Sequence, residues 1–168
     1  FLMKIENLDF SGALKLLSQQ TGVALPKRRS EVSAQNPMVS VNTKALKYFQ
    51  AALEADHGSL ARNYLTKRKV QTAEIQQFGL GYSPSTGDEL MRAMENEGIS
   101  AQQLLLGGLV TQDERGRIRD MFRGRLMFAI RNVGGHIVGF AGRSLDDSSP
   151  KYINSPQTVL FDKGKLLY

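Results

Sequence analysis

The chain has 168 residues, 41% of them apolar and 23% charged, a balance that suits one or two small cores in an ordinary globular protein. No apolar run reaches the roughly eighteen residues of a membrane span, the opening Phe1-Leu2-Met3-Lys4-Ile5-Glu6-Asn7 lacks the basic-then-apolar order of a secretory signal, and the absence of cysteine excludes disulfides and thiolate zinc sites, so a cytoplasmic protein without membrane contact is expected. The net charge of +6 is concentrated, because residues 115–168 hold ten Lys/Arg against four Asp/Glu while residues 1–114 are balanced, and any surface for a polyanion is expected in that last third.

In chain order, residues 9–22 carry a capping Asp9, apolar residues at helical spacing and a stop at Gly22, which predicts one amphipathic helix. Residues 27–40 are polar and poor in large apolar side chains, which predicts a linker; its Lys27-Arg28-Arg29 reads either as a solvated basic run or as a nucleic-acid contact. From Asn42 to Gly108 the period is helical, with Leu46, Phe49 and Leu53 on one face, then Leu60, Tyr64 and Leu65, then Ile75 and Phe78, then Leu90, Met91 and Met94. Residues 79–84 read as punctuation between helices, and Ser100-Ala101-Gln102-Gln103 reads as a capping box opening a last short helix before Gly107-Gly108. The period then changes. Leu109-Val110, a turn at Glu114-Arg115-Gly116, residues 125–130, a turn at Asn132-Val133-Gly134-Gly135 and residues 137–140 predict one small antiparallel sheet. The expected fold class is α+β, a helical front packed with a small antiparallel β-sheet.

Carboxylates able to hold a catalytic metal are hard to find. Asp146-Asp147, Glu95 with Glu97, and Asp113-Glu114 all sit in polar surroundings and read as solvated, while His57 and His136 have no evident partner. Phosphate loops, nucleophile elbows and metal-ligand helices are absent, so no catalytic and no metal-binding residue is assigned to this chain. The cations are more informative. Arg117, Arg119, Arg123 and Arg125 alternate before and within a strand, which would aim several guanidinium groups at one face. Arg143, Lys151, Tyr152, Asn154 and Lys163 follow, interleaving cations with a ring that can stack on a base and an amide that can read one. That composition suits single-stranded nucleic acid, and it is equally compatible with Tyr152 packed in a core among ordinary surface cations.

Four patterns decide further. Arg123-Gly124-Arg125-Leu126-Met127-Phe128-Ala129-Ile130, then Val138-Gly139-Phe140-Ala141-Gly142-Arg143, then Lys151-Tyr152-Ile153-Asn154-Ser155-Pro156, then Leu160-Phe161-Asp162-Lys163-Gly164-Lys165-Leu166-Leu167-Tyr168 resemble, in order and spacing, the DnaG-type bacterial primases. The chain departs from that family's pattern with Ala129 for a usual Pro, Ala141 for a glycine, and Lys69 for the glycine that usually follows the arginine of Tyr64-Leu65-Thr66-Lys67-Arg68. Phe78-Gly79-Leu80-Gly81-Tyr82-Ser83-Pro84 extends the likeness forward, so that it runs from about residue 40 onward.

The resemblance implies that residues 41–168 are the N-terminal subdomain of the primase catalytic core, with residues 1–26 the tail of an upstream zinc-binding domain and residues 27–40 the linker. The opening at Phe1 and the apolar ending at Leu166-Leu167-Tyr168 accord with a fragment of a longer protein. In such primases a TOPRIM domain, expected after residue 168, binds Mg2+ or Mn2+, and Zn2+ belongs to the upstream domain; no cofactor is expected in this chain. The full protein would be a DNA-directed RNA polymerase, a nucleotidyltransferase that makes short RNA primers for replication, and this chain alone would be inactive. Arg68, Arg143, Lys151, Tyr152, Asn154 and Lys163 would contact the single-stranded DNA template, the RNA–DNA hybrid and ribonucleoside triphosphates, with Arg123 and Arg125 as secondary contacts. The replicative helicase would be met through other domains. Two further readings stay open, a non-catalytic single-stranded nucleic-acid binding module of a phage or plasmid replication protein, and a protein-interaction scaffold.

Overall fold

The computed structural model describes residues 36–146 and 150–161. The helix expected over residues 9–22, most of the linker expected over residues 27–40, Asp147 and Lys163 lie outside them.

The first described element is α1 (Pro37–Glu54), which begins inside the stretch expected to be linker. Its start is set by local chemistry: Asn36 Oδ1 accepts the Met38 N–H at 2.9 Å, and Pro37 occupies the first turn, where its missing donor has no cost. Met38, Val41, Ala45, Leu46, Phe49 and Leu53 then recur at helical spacing and are buried. A short 3-10 turn (Asp56–Gly58) leads into α2 (Ser59–Lys67), then α3 (Thr72–Gln77), β1 (Leu80–Ser83), α4 (Glu89–Asn96) and α5 (Ala101–Leu106). The capping box forms as expected, with Gln103 Oε1 accepting the Ser100 N–H at 2.9 Å and Ser100 Oγ accepting the Gln103 N–H at 3.3 Å.

Behind the helices come β2 (Val110–Gln112), β3 (Ile118–Asp120), β4 (Arg125–Arg131), β5 (Ile137–Ser144) and β6 (Tyr152–Asn154). They form two sheets rather than the single one expected. β2 and β3 make a separate two-stranded ribbon, and the main sheet is antiparallel in the order β1-β4-β5-β6. The β4–β5 hairpin is where the turn residues placed it, with Asn132 Oδ1 accepting the N–H groups of Gly134 and His136 at 3.0 Å and Gly135 in the left-handed region at φ +80°. β1 occupies a segment read as inter-helix punctuation. Gly79, Gly81 and Pro84 hid its alternation, yet all four of its residues are buried and paired to β4, Leu80 opposite Phe128 and Tyr82 opposite Leu126.

Each face of the main sheet has its own core. On one, α1 packs against β1 and β5: Phe49, fully buried, meets Phe140 edge-on with ring centroids 5.3 Å apart, and Phe140 meets Phe122 at 6.5 Å. Met127, Leu46, Leu90, Met94, Leu104 and Leu109 complete this core. On the other face Leu80, Tyr82 and Leu126 are covered by Leu53, Ala61 and Leu65, with Tyr64, Ile75 and Phe128 at the margin. Leu60 and Phe78, expected on packed helical faces, are more than half exposed.

One polar group inside the first core holds two elements together. Asp120, 2% exposed, accepts the Leu90 and Met91 N–H groups at 2.9 and 3.1 Å, and so caps α4 from the ribbon thirty residues away. Burial pushes its carboxyl above the ordinary carboxylate range of 3.8, although the two N–H donors pull the other way. Asp120→Ala should therefore cost about 2 kcal/mol, since two helix donors lose their acceptor out of water. A group with a raised folded pKa contributes most below its unfolded value, and the contribution fades as pH climbs through the folded one. In urea unfolding, the wild-type chain should lose stability relative to Asp120→Asn as pH rises from about 4; a difference constant with pH would refute the assignment.

Candidate nucleic-acid interface

Strand register places the candidate residues. Because side chains alternate along a strand, the pairing of Arg143 with Tyr152 and of Ala141 with Asn154 puts Arg143, Tyr152 and Asn154 on one face of the β5–β6 edge. Continuing through Leu126 opposite Arg143, this is the face whose other end is covered by α2. The covering stops short of β6, and Tyr152 is 57% exposed.

The end of α2 supplies the rest. Arg68 caps the helix, its N–H reaching the Tyr64 and Leu65 carbonyls, and Tyr64 lies one turn before it, so the two side chains stack on one helix face. The result is a ladder of alternating cations and rings. Arg68 Cζ lies 5.4 Å from the Tyr64 centroid, Arg143 Cζ lies 4.6 Å from the same centroid, and Arg143 Cζ lies 5.5 Å from the centroid of Tyr152. Arg143 Nε is buried with no hydrogen-bond partner among the described residues. The chain turns away after Arg68 through Lys69, which takes the left-handed conformation at φ +58°. That explains why a glycine suits the position, and lysine there bears a strain of about 1–2 kcal/mol.

The expected residues do not all converge. Arg68, Arg143 and Tyr152 meet in the ladder, and Asn154 is partly buried two residues along the same strand face. Lys151 sits exposed at the bend before β6, and its carbonyl accepts the Ser144 N–H at 2.9 Å. Lys163 lies outside the described residues. Arg125 corrects the expectation of a secondary contact. It is 7% exposed on the opposite face, with Nη1 near the Gly142 and Lys151 carbonyls at 3.5 and 3.4 Å, and burial pulls its guanidinium below the usual value. Arg123 is exposed, but its Nη1 donates to the Asp120 carbonyl at 2.6 Å. Arg117 pairs with Asp113 at 2.8 Å, and Arg119 lies on the β2–β3 ribbon. The array predicted to aim four guanidinium groups at one face therefore does not form, because Arg119 lies on the two-stranded ribbon, Arg117 in the turn before β3, and Arg125 on the main sheet.

Tyr64 was read as part of a packed helical face; it does pack at the margin of the second core, and it is also the ring shared by two arginines. A tyrosine four residues before an arginine on a helix was the available signal. Among the described residues no cluster of three or more His, Asp or Glu is arranged to hold a metal ion, and no helix is long and apolar enough to cross a membrane.

Comparison with known proteins adds the relatives. Residues 48–168 match the family described as DNA primase catalytic core, N-terminal domain. The chain is 41% identical over its whole length to a DNA primase of Deinococcus radiodurans, of which it spans 29%. A DnaG primase catalytic domain solved bound to ssDNA superposes with a TM-score of 0.70 at 33% identity, over 78% of this chain and 41% of that one. The zinc-binding and RNA polymerase domains of the Aquifex aeolicus primase align over 98% of this chain and 40% of that one, with a TM-score of 0.68 and 25% identity. The chain thus covers less than a third of the curated relatives it matches.

Proposed function

This chain belongs to the family of the DNA primase catalytic core, N-terminal domain, and from that premise we propose that it is the strand-gripping part of an enzyme that synthesises short RNA primers on single-stranded DNA. The observation that carries the reading is Arg143, held between the rings of Tyr64 and Tyr152 on the uncovered edge of the sheet. A flat cation beside an exposed ring suits one phosphate and one unpaired base together: the guanidinium fork meets phosphate oxygens, and the ring stacks on any base. Asn154 on the same face offers an amide to a base edge or to the sugar 2′-hydroxyl, which a ribonucleotide carries and a deoxyribonucleotide lacks. The DnaG domain solved with ssDNA supports such a surface.

In this reading residues 41–168 form the N-terminal subdomain, residues 27–40 a tether and residues 1–26 the tail of a zinc-binding domain of the kind solved in the Aquifex aeolicus protein. The metal-assisted chemistry resides in a TOPRIM domain elsewhere in the longer protein. Among the described residues the acidic side chains are dispersed, and no three acidic or histidine side chains are arranged to hold a metal ion. What this chain contributes is positioning: it fixes template, hybrid and incoming ribonucleoside triphosphate by charge, which accelerates phosphoryl transfer by holding the reacting oxygens in line. The protein acts in the cytoplasm and meets the replicative helicase through its other domains.

Two substitutions test the surface. Tyr152→Ala should weaken binding of a labelled single-stranded oligonucleotide about tenfold, by loss of a stacking platform, at an unchanged salt dependence. Lys151→Ala should instead reduce the slope of log affinity against log salt by roughly one. If both variants bind and prime as the parent does, these residues leave the site. Primer synthesis by the isolated chain would overturn the division of labour.

A further inference from the structure

We propose that Tyr64 is the positioning residue of this surface: its ring holds the guanidinium groups of Arg68 and Arg143 in place while leaving their terminal Nη–H donors for phosphate. The inference rests on the reading of the ladder as a nucleic-acid surface.

A partly buried arginine in a protein is ordinarily anchored by a carboxylate or by carbonyls, and either anchor occupies the donor fork. Arg125 shows the second kind, turned inward onto the Gly142 and Lys151 carbonyls. Arg143, partly buried, shows neither, and the exposed Arg68 likewise has neither. Among the described residues, the ion pairs are Lys44 with Glu97, Arg92 with Asp88 and Arg117 with Asp113, and no side-chain hydrogen bond involves Arg68 or Arg143. What both guanidinium groups share is one ring, that of Tyr64, whose centroid lies 5.4 and 4.6 Å from their Cζ atoms. The negative face of an aromatic quadrupole attracts a cation without neutralising it and without accepting its N–H bonds. Two like charges brought together repel; a shared ring offsets part of that repulsion, and the net positive charge survives for an incoming phosphate.

The ring itself is placed by packing. Ala61 and Leu65 are buried against Leu80, Tyr82 and Leu126, which seats α2 on the sheet, and Tyr64 packs at the edge of that cluster. Tyr64 therefore differs in kind from Tyr152, whose exposed ring is free to meet a base. It acts through the two arginines.

The test is a double-mutant cycle in the intact protein, reading the affinity for a fluorescein-labelled oligodeoxythymidylate by anisotropy beside thermal melting by circular dichroism. Tyr64→Leu should weaken binding about tenfold, Tyr64→Phe should bind within about twofold of the parent, and Tyr64→Leu placed in an Arg143→Ala background should add roughly threefold or less, since only Arg68 remains to be misplaced. Pentafluorophenylalanine at position 64 keeps the shape of the ring and inverts its quadrupole, so it should bind as weakly as Tyr64→Leu, and it carries the decision if the leucine variant fails to fold. Pentafluorophenylalanine matching Tyr64→Phe, or an undiminished effect of Tyr64→Leu without Arg143, would overturn the proposal. Should Arg143→Ala weaken binding while Tyr64→Leu does not, only this inference falls; should Arg143→Ala bind as the parent does, the reading of the surface falls with it.

Discussion

Arg143→Ala is expected to lower the affinity for single-stranded DNA about thirtyfold and to reduce primer synthesis by the intact protein by about two orders of magnitude. The first figure corresponds to roughly 2 kcal/mol, the scale of a desolvated cation–π contact or of a hydrogen bond to a charged group. The larger effect on synthesis follows from positioning, because a strand displaced by about an ångström at the reacting oxygens forfeits alignment as well as binding. The same substitution should barely change the melting temperature. Arg143 Nε is buried without an acceptor among the described residues, so removing the side chain relieves an unpaired donor and offsets the lost ring contacts. Arg143→Lys should recover only part of the function, since an ammonium keeps the charge and loses the flat fork. Anisotropy titration, gel assay of primers and a circular dichroism melt check the three parts. A variant that binds and primes normally would remove the ladder from the site, and one that unfolds would make Arg143 a structural residue.

Gly81→Ala should destabilise the protein by about 3 kcal/mol, a large share of an ordinary domain's margin of roughly 5–15 kcal/mol. At this residue α1 lies directly on β1. A Cβ there would fall 2.6 Å from Phe49 Cβ, 2.7 Å from Phe49 C and 2.9 Å from Phe49 O. Two of those atoms are helix backbone, so no rotamer change can relieve the clash, and α1 must lift from the sheet, loosening the contact of Phe49 with Phe140. Gly98→Ala is the control. It bears the strain of φ +78° but meets no atom within 4 Å, and should cost about 1–2 kcal/mol. Equal losses in urea unfolding would show that the close approach at Gly81 does not govern the packing.

Reading the residues in order located much of the frame. Helical spacing found the buried face of α1, the Ser100 box opened α5 where expected, and the turn at residues 132–135 located the β4–β5 hairpin. The errors fall at long range. β1 escaped because its glycines mimic a loop, and only its partner more than forty residues away identifies it as a strand. Arg125 and Arg143 both pair along β4 and β5, yet the first lies buried on the α1 face and the second near solvent on the other, a distinction that depends on which face each core covers.

By itself, then, the amino-acid order determined the α+β class, the family and the segment that carries the excess charge, since propensity, capping and turn chemistry act over a few residues and are written in neighbouring side chains. Tertiary structure decided which cations matter. It turned Arg125 inward, put Arg119 on a separate ribbon with Arg117 in the turn before β3, and brought Tyr64 and Arg68 at the end of α2 against Arg143. Guanidinium groups repel one another unless something holds them, and here the holder is an aromatic ring that only the packing of α2 on the sheet brings within reach.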